Sequence, residues 1–261
     1  MTDDLTAVAA TLQRAMDAHQ AGQHEQARRL YLEHLEASPG DAPALCLLAS
    51  LEGEQGNHPG AEAAFRKAVA ADFAHAPAHA GLGASLLLQK RPAQAADALE
   101  QAIALQADQP EWRLQLALAL RQSGRLEDAI KAVARLVERW PDHLQGRYNL
   151  AVLAMEGGNP DLAAENFQVV AQRQPDRLPA LVGLGRALIA ANDPAGAQQA
   201  LDRAAQLAPG DAEVNALRGN LLRQRGRFAQ ASASYQRALD APGGHVGAAI
   251  GLADIDRREG R

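Results

Sequence analysis

Large rings are scarce in this chain: aromatic residues make up 3% of its 261 residues, although 47% are hydrophobic. That excludes a core built around aromatic side chains. The apolar content is mostly Ala and Leu, the composition of helices that approach one another closely. Cysteine is nearly absent as well. Cys46 stands alone, so no internal disulfide can form, which fits a reducing compartment or indifference to one, with the cytoplasm as the default expectation. No apolar run approaches the roughly 18 residues needed to cross a bilayer. The N-terminal stretch MTDDLTAVAATLQRAM is acidic and lacks the basic n-region of a secretory signal. A formal net charge of −5 gives no global attraction for phosphate backbones, so nucleic acid is not an expected partner.

Catalytic signatures are missing too. The chain has no G-x-S-x-G elbow, no H-E-x-x-H and no P-loop, and its six serines are scattered. Of the eight histidines, His75 and His79 are four apart, but Pro77 lies between them at a helix start. Only His58 and Asp72 stand nearby in sequence, short of the three or four converging ligands that zinc needs. His19 and His24 flank a turn and are expected in solvent. Cys46 reads as a small, half-buried filler rather than a reactive thiol. Gly81 with Gly83, and Gly183 with Gly185, follow no strand and signal close helix contact rather than a phosphate loop. No catalytic residue, metal or cofactor is therefore expected.

What is present is a period of 34 residues. Numbered from Val8, Ala42, Ala76, Pro110, Leu144, Leu178, Ala212 and Val246, the repeat needs no insertion or deletion. Column 20 is Ala27, Ala61, Ala95, Ala129, Ala163, Ala197 and Ala231. Column 8 is only Ala or Gly, from Ala15 to Ala253. Column 24 is larger: Tyr31, Phe65, Leu99, Val133, Phe167, Leu201 and Tyr235. Small residues at columns 8 and 20 let the two helices of a hairpin approach closely. The residue at column 24, one turn beyond column 20 on the same face, fills the remaining gap.

Every proline falls at a helix boundary. Pro43, Pro77, Pro110 and Pro179 open first helices, and Pro59, Pro92, Pro160 and Pro194 open second helices. Pro39, Pro141, Pro175 and Pro209 close second helices, each followed shortly by an Asp expected to cap the next one. Asn159 and Asp193 are further expected N-caps. Gly22, Gly56, Gly124, Gly158, Gly226 and Gly260 hold the tight turn at column 15.

Columns 4, 7, 8, 11, 20, 24 and 32 together resemble the tetratricopeptide repeat (TPR), with LQGRYNLAVLAMEGGNPDLAAENFQVVAQRQPD, from Leu144, among the clearer copies. The family's Trp at column 4 is absent throughout, and Phe73, Ala107 and Gly243 replace the closing Pro. The resemblance implies an all-α fold: an α-solenoid, a right-handed superhelix of about seven TPR hairpins whose first helices line a concave face. The expected organisation is a flexible N-terminus over 1–7, seven repeats over 8–245, and a final segment over 246–261. That segment reads either as a capping helix or as the first helix of an eighth repeat in a longer chain.

In the family, first-helix columns 2, 5, 6, 9, 12 and 13 tend to face the groove. Here they offer an apolar strip of Leu114, Leu118, Tyr148 and Val152, bordered by Arg121, Asn149, Arg186, Asn220 and Arg223. Such a surface suits an extended peptide or a protein carrying acidic groups, with Asn for backbone amides and Arg for carboxylates. Two family specialisations do not fit. Leu114, Leu118, Pro179 and Gly183 occupy positions where a carboxylate clamp needs Lys, Asn and two bases, and Asn149 alone at column 6 is no asparagine ladder. The expected function is a non-enzymatic scaffold binding a peptide or protein. The alternative is the substrate-recruiting arm of a larger enzyme, a glycosyltransferase, sulfotransferase or oxygenase. A third reading is self-association through an exposed end.

Overall fold

The computed structural model describes residues 2–259, and the side chains of residues 8–258. Among the described residues the secondary structure is entirely helical, in the order α1 (Thr2–Gln20) and α2 (His24–Ala37), α3 (Ala42–Glu54) and α4 (His58–Ala71), α5 (Ala76–Leu88) and α6 (Pro92–Leu105), α7 (Pro110–Gln122) and α8 (Leu126–Arg139), α9 (Leu144–Glu156) and α10 (Pro160–Arg173), α11 (Leu178–Ala190) and α12 (Pro194–Leu207), α13 (Ala212–Gln224) and α14 (Phe228–Asp240), then α15 (Val246–Glu259). Every first helix from α3 onward starts on the residue from which the repeat is numbered. α1 starts earlier and takes in residues 2–7, which precede the first repeat; Met1, Gly260 and Arg261 lie outside the described residues. The fold is an all-α helical-hairpin solenoid.

The chain divides into two compact bodies, Met1–Leu136 and Val137–Arg261, with the division inside α8. In both, the small columns are buried, except Ala253 of column 8, which is exposed. Ala15, Ala49 and Ala151 of column 8 and six of the seven alanines of column 20 have no exposed surface, the seventh being Ala61 at 1%. The column 24 side chains are buried in all seven repeats. Each contributes roughly 1.5–3 kcal/mol by leaving water.

The hairpin turns share one geometry. The residue after column 15 donates its N–H to a carbonyl five residues back in each of seven turns, from Gln23 N to Ala18 O at 2.9 Å through Arg227 N to Leu222 O at 2.9 Å. This is the Schellman closure, and it needs a left-handed residue at column 15. Gly22, Gly56, Gly124, Gly158 and Gly226 supply it with φ between 70° and 81°. Lys90 (φ 58°) and Asn192 (φ 59°) occupy the same place with a Cβ. Lys90→Gly is therefore expected to stabilise the N-terminal body by about 0.5–1 kcal/mol, the left-handed penalty less the entropy of an added glycine. Asn192→Gly should gain less, because Asn tolerates this conformation. Urea unfolding of the two variants beside the parent reads the difference.

Caps follow position rather than residue type. The N-cap is column 34, where Asp41 accepts from Ala44 N (3.0 Å) and Asp211 from Val214 N (2.9 Å). Asn159 and Asp193 cap the second helices as expected, accepting from Leu162 N (3.1 Å) and Gly196 N (3.0 Å). The expectation fails at Asp142 and Asp176, which stand one residue too early. At α9 the cap is His143, whose Nδ1 accepts from Gly146 N at 2.9 Å, and at α11 it is Arg177, with no side-chain bond.

Candidate binding surface

Within each body the first helices crowd together. α1 meets α3, α3 meets α5 and α5 meets α7; α9 meets α11, α11 meets α13 and α13 meets α15. Among the described residues no comparable approach is found between α2 and α4, α4 and α6, α10 and α12, or α12 and α14. Crowding on one side and splaying on the other makes the first-helix side the inner, concave one. Small residues make the crowding possible. A Cβ on Gly83 would stand 2.6 Å from Leu99 Cγ, and one on Gly185 2.6 Å from Leu201 Cδ2, both within a single hairpin. Between hairpins, column 6 takes the same role: Gly81 lies against Phe65, Gly183 against Phe167 and Gly251 against Tyr235. These glycines are seats for aromatic rings of the preceding hairpin, in agreement with their reading as close helix contacts.

In the N-terminal body, Leu114 is half-buried on α7, while Leu118 (43% exposed) and Arg121 face outward. In the C-terminal body, Tyr148 and Val152 are half-buried against the core around Phe167 and Leu181. Tyr148 is committed to packing on two sides. Its ring meets Phe167 edge-on at 5.6 Å, and the Arg177 guanidinium covers it at 4.3 Å. Asn149 Oδ1 accepts from Gln145 Nε2 at 2.9 Å, which leaves its amide N–H groups to donate. Arg186 is ion-paired with Glu213 of the next first helix. Asn220 Oδ1 accepts from Tyr235 Oη at 2.7 Å, and Arg223 stands 3.9 Å from Asp254, a loose contact.

Two functional groups escape a column-by-column reading. Tyr31 and Tyr235 belong to the packing column, and both rings are buried. Each hydroxyl nevertheless emerges among first-helix side chains, Tyr31 beside His19 (3.2 Å) and Tyr235 beside Asn220. The signal is Tyr where an apolar ring would pack as well. Burial raises both phenols above their ordinary pKa, with Glu54 adding to the effect at Tyr31 and Arg223 opposing it at Tyr235. Both hydroxyls therefore keep their protons, and Tyr235 donates its own to Asn220 Oδ1.

Other polar groups join consecutive hairpins. Burial pushes the Glu62 carboxyl upward, but hydrogen bonds from Gln89 (2.9 Å), Arg66 (3.0 Å) and Arg91 (2.7 Å) outweigh it and hold the pKa below the usual range. Glu52 behaves alike under Arg28 (2.7 Å) and Asn57 (2.6 Å). His79 is buried and bonds the Phe73 carbonyl at 2.9 Å, a structural role. Cys46 is half-buried, and burial pushes its thiol up to about 11, so it carries little thiolate at neutral pH. No described helix is long and apolar enough to cross a membrane.

Comparison with known proteins agrees with this architecture. A tetratricopeptide repeat family model matches residues 46–110, 114–177 and 216–261, a second matches 154–221 and a third 8–33. No curated protein matches the chain. Among solved structures, YrrB, described as a TPR protein with an unusual peptide-binding site, is 21% identical, with a TM-score of 0.64 over 70% of this chain and 95% of its own. A tetratricopeptide repeat protein from Parabacteroides merdae is 13% identical, with a TM-score of 0.63 over 96% of this chain and 99% of its own. MamA is 23% identical, with a TM-score of 0.58 over 62% of this chain and 94% of its own. With its buried small columns and uniform hairpin turns, the chain belongs to the tetratricopeptide repeat family.

Proposed function

We propose that this chain is a non-enzymatic scaffold that binds a peptide or protein segment on its first-helix surface. The crowding of first helices within each body carries the reading, because it sets donors and acceptors of columns 6, 9 and 12 side by side on an inner face. The peptide-binding site described for YrrB, a protein of the same fold, supports it. Exposed Leu118 offers apolar contact and the Asn149 amide donates to a peptide carbonyl. Arg223, only loosely held by Asp254, is the better receiver of an acidic group than Arg186, which Glu213 already occupies. The net charge of −5 argues against nucleic acid as the partner, and a cytoplasmic setting belongs to the same reading.

Peptides selected from a displayed random library against the intact chain provide the test. Each selected peptide is expected to be weakened roughly tenfold or more by the substitution in the body that holds it, Leu118→Asp in the N-terminal body or Arg223→Ser in the C-terminal one, as loss of a central contact does. Leu32→Asp and Leu207→Asp, on exposed leucines of α2 and α12, should leave it unchanged. The opposite pattern would place binding on the second-helix side.

A further inference from the structure

His19 ends α1, His24 opens α2 across the Gly22 turn, and Glu54 ends α3. One ring nitrogen from each histidine and one oxygen of Glu54 all lie within 4.8 Å of one another. His19 Nε2 is 3.0 Å from Glu54 Oε2, and the two imidazoles meet edge-on with centroids 6.3 Å apart. Nδ1 of His24 is buried and has no hydrogen-bond partner. We propose that His19, His24 and Glu54 hold one borderline divalent cation, zinc above all.

The donor set suits it. Two neutral imidazoles and a carboxylate are a zinc ligand set, leaving a fourth position for water or for an atom of a bound partner. With bonds of about 2.0–2.1 Å, tetrahedral ligand atoms stand roughly 3.3 Å apart. His19 and Glu54 are already that close, so side-chain rotation of His24 closes the set. Tyr31 supports the first ligand. Its hydroxyl lies 3.2 Å from His19 Nδ1 and fixes the ring with Nε2 toward Glu54. Once Nε2 carries the ion, Nδ1–H donates to Tyr31 Oη, the outer hydrogen bond that metal-bound histidines make. Glu54 is 56% exposed at its side chain, which leaves an entry path.

The location gives the ion a task. Its three ligands come from three helices and tie the first hairpin to the second. Among the described residues, α2 and α3 approach less than α4 and α5, α6 and α7 or α10 and α11 do. Leu47 stands where other aromatic-seating junctions have glycine, and a cavity of about 320 Å³ opens among Met16, His19, Gln20, Tyr31, Leu47 and Glu54. Zinc would staple a junction that packing secures weakly.

The test uses the full chain stripped with a chelator and titrated with Co²⁺, then Zn²⁺, followed by calorimetry and hydrogen exchange. One equivalent should bind, with visible Co²⁺ bands that Zn²⁺ abolishes, and exchange should slow in α1–α3 but not in α13–α15. His24→Ala and Glu54→Gln should each weaken binding about tenfold or more, and Tyr31→Phe should weaken it while keeping the Co²⁺ spectrum. His75→Ala should change nothing. Circular dichroism checks that each variant is folded, and Glu54→Gln, on an exposed side chain, serves if His24→Ala is not. Absence of stoichiometric binding, unchanged affinity in the folded ligand variants, or slowed exchange spread over the whole chain would overturn the site.

Discussion

Gly183→Leu should cost about 3 kcal/mol, the upper part of the overpacking range, and Phe167→Leu in the same molecule should recover most of it. The clash is specific. A Cβ on Gly183 would lie 2.5 Å from Phe167 Cζ, with two more ring atoms within 2.8 Å. Phe167 is 3% exposed and belongs to the core around Leu181, so the ring has nowhere to turn. The double variant installs a pairing the chain already uses one repeat on, where Leu201 of column 24 precedes Leu217 of column 6 and both are buried. Urea unfolding of the parent, the two single variants and the double variant closes the cycle. A coupling of about 2 kcal/mol is expected, and additive costs would show that the ring and the glycine do not share one site.

The same rule runs along the chain. Phe65, Phe167 and Tyr235 are each followed, one repeat later, by glycine at column 6, whereas Leu99, Val133 and Leu201 are followed by Gln115, Asn149 and Leu217. Junctions where glycine seats the ring bring neighbouring hairpins together extensively, as at α4–α5 and α10–α11. Those with leucine at column 6, α2–α3 and α12–α13, approach less. Tyr31, followed by Leu47, shows that a ring alone is not enough: leucine at column 6 goes with the looser junctions whichever side chain stands at column 24.

Most of the architecture was legible because a 34-residue period repeats the same local instructions. Proline at helix starts, glycine at column 15 and alanine at column 20 each act within a few residues of themselves, so sequence order reports them faithfully. Errors arose where one position decides. Asp142 and Asp176 have the chemistry of caps, but a side chain one residue early cannot reach the N2 or N3 amide. The candidate surface was harder to read because its contacts join residues about a period apart. Arg186 and Glu213 are 27 positions apart, and His19 and Glu54 are 35. Adding one period to His19 points almost directly at Glu54, so that signal was present. His24 carries no comparable one, since only the fold of the Gly22 turn brings it alongside. Tyr148 shows a further limit: the packing of its ring against Phe167 and under Arg177 also joins residues about 20 to 30 positions apart.

Tyr235→Ala should cost about 3–5 kcal/mol, the range for truncating a large buried ring, and should release α15 from the array. Tyr235 has no exposed surface, and its ring lies between Gly219 of its own hairpin and Gly251 of α15. Among the described residues α15 packs on α13 and α14, with Ala248, Gly251 and Ile255 as its buried face, while Val246 (79%) and Ile250 (60%) remain exposed. Removing the ring takes away the surface on which Gly251 rests. In a nearest-neighbour array such a loss stays local. Hydrogen exchange in α15 should therefore rise to the rate of an unfolded segment while α9–α11 keep their protection. Tyr235→Phe separates the two roles of the residue. It preserves the packing and costs only about 1 kcal/mol for the bond to Asn220. α15 should stay protected, while the released Asn220 carbonyl and Arg223 alter affinity for a selected peptide. Equal deprotection of α15 in both variants would mean that the hydroxyl, not the ring, anchors the last helix, and would move the seat of that junction from the core to the inner face.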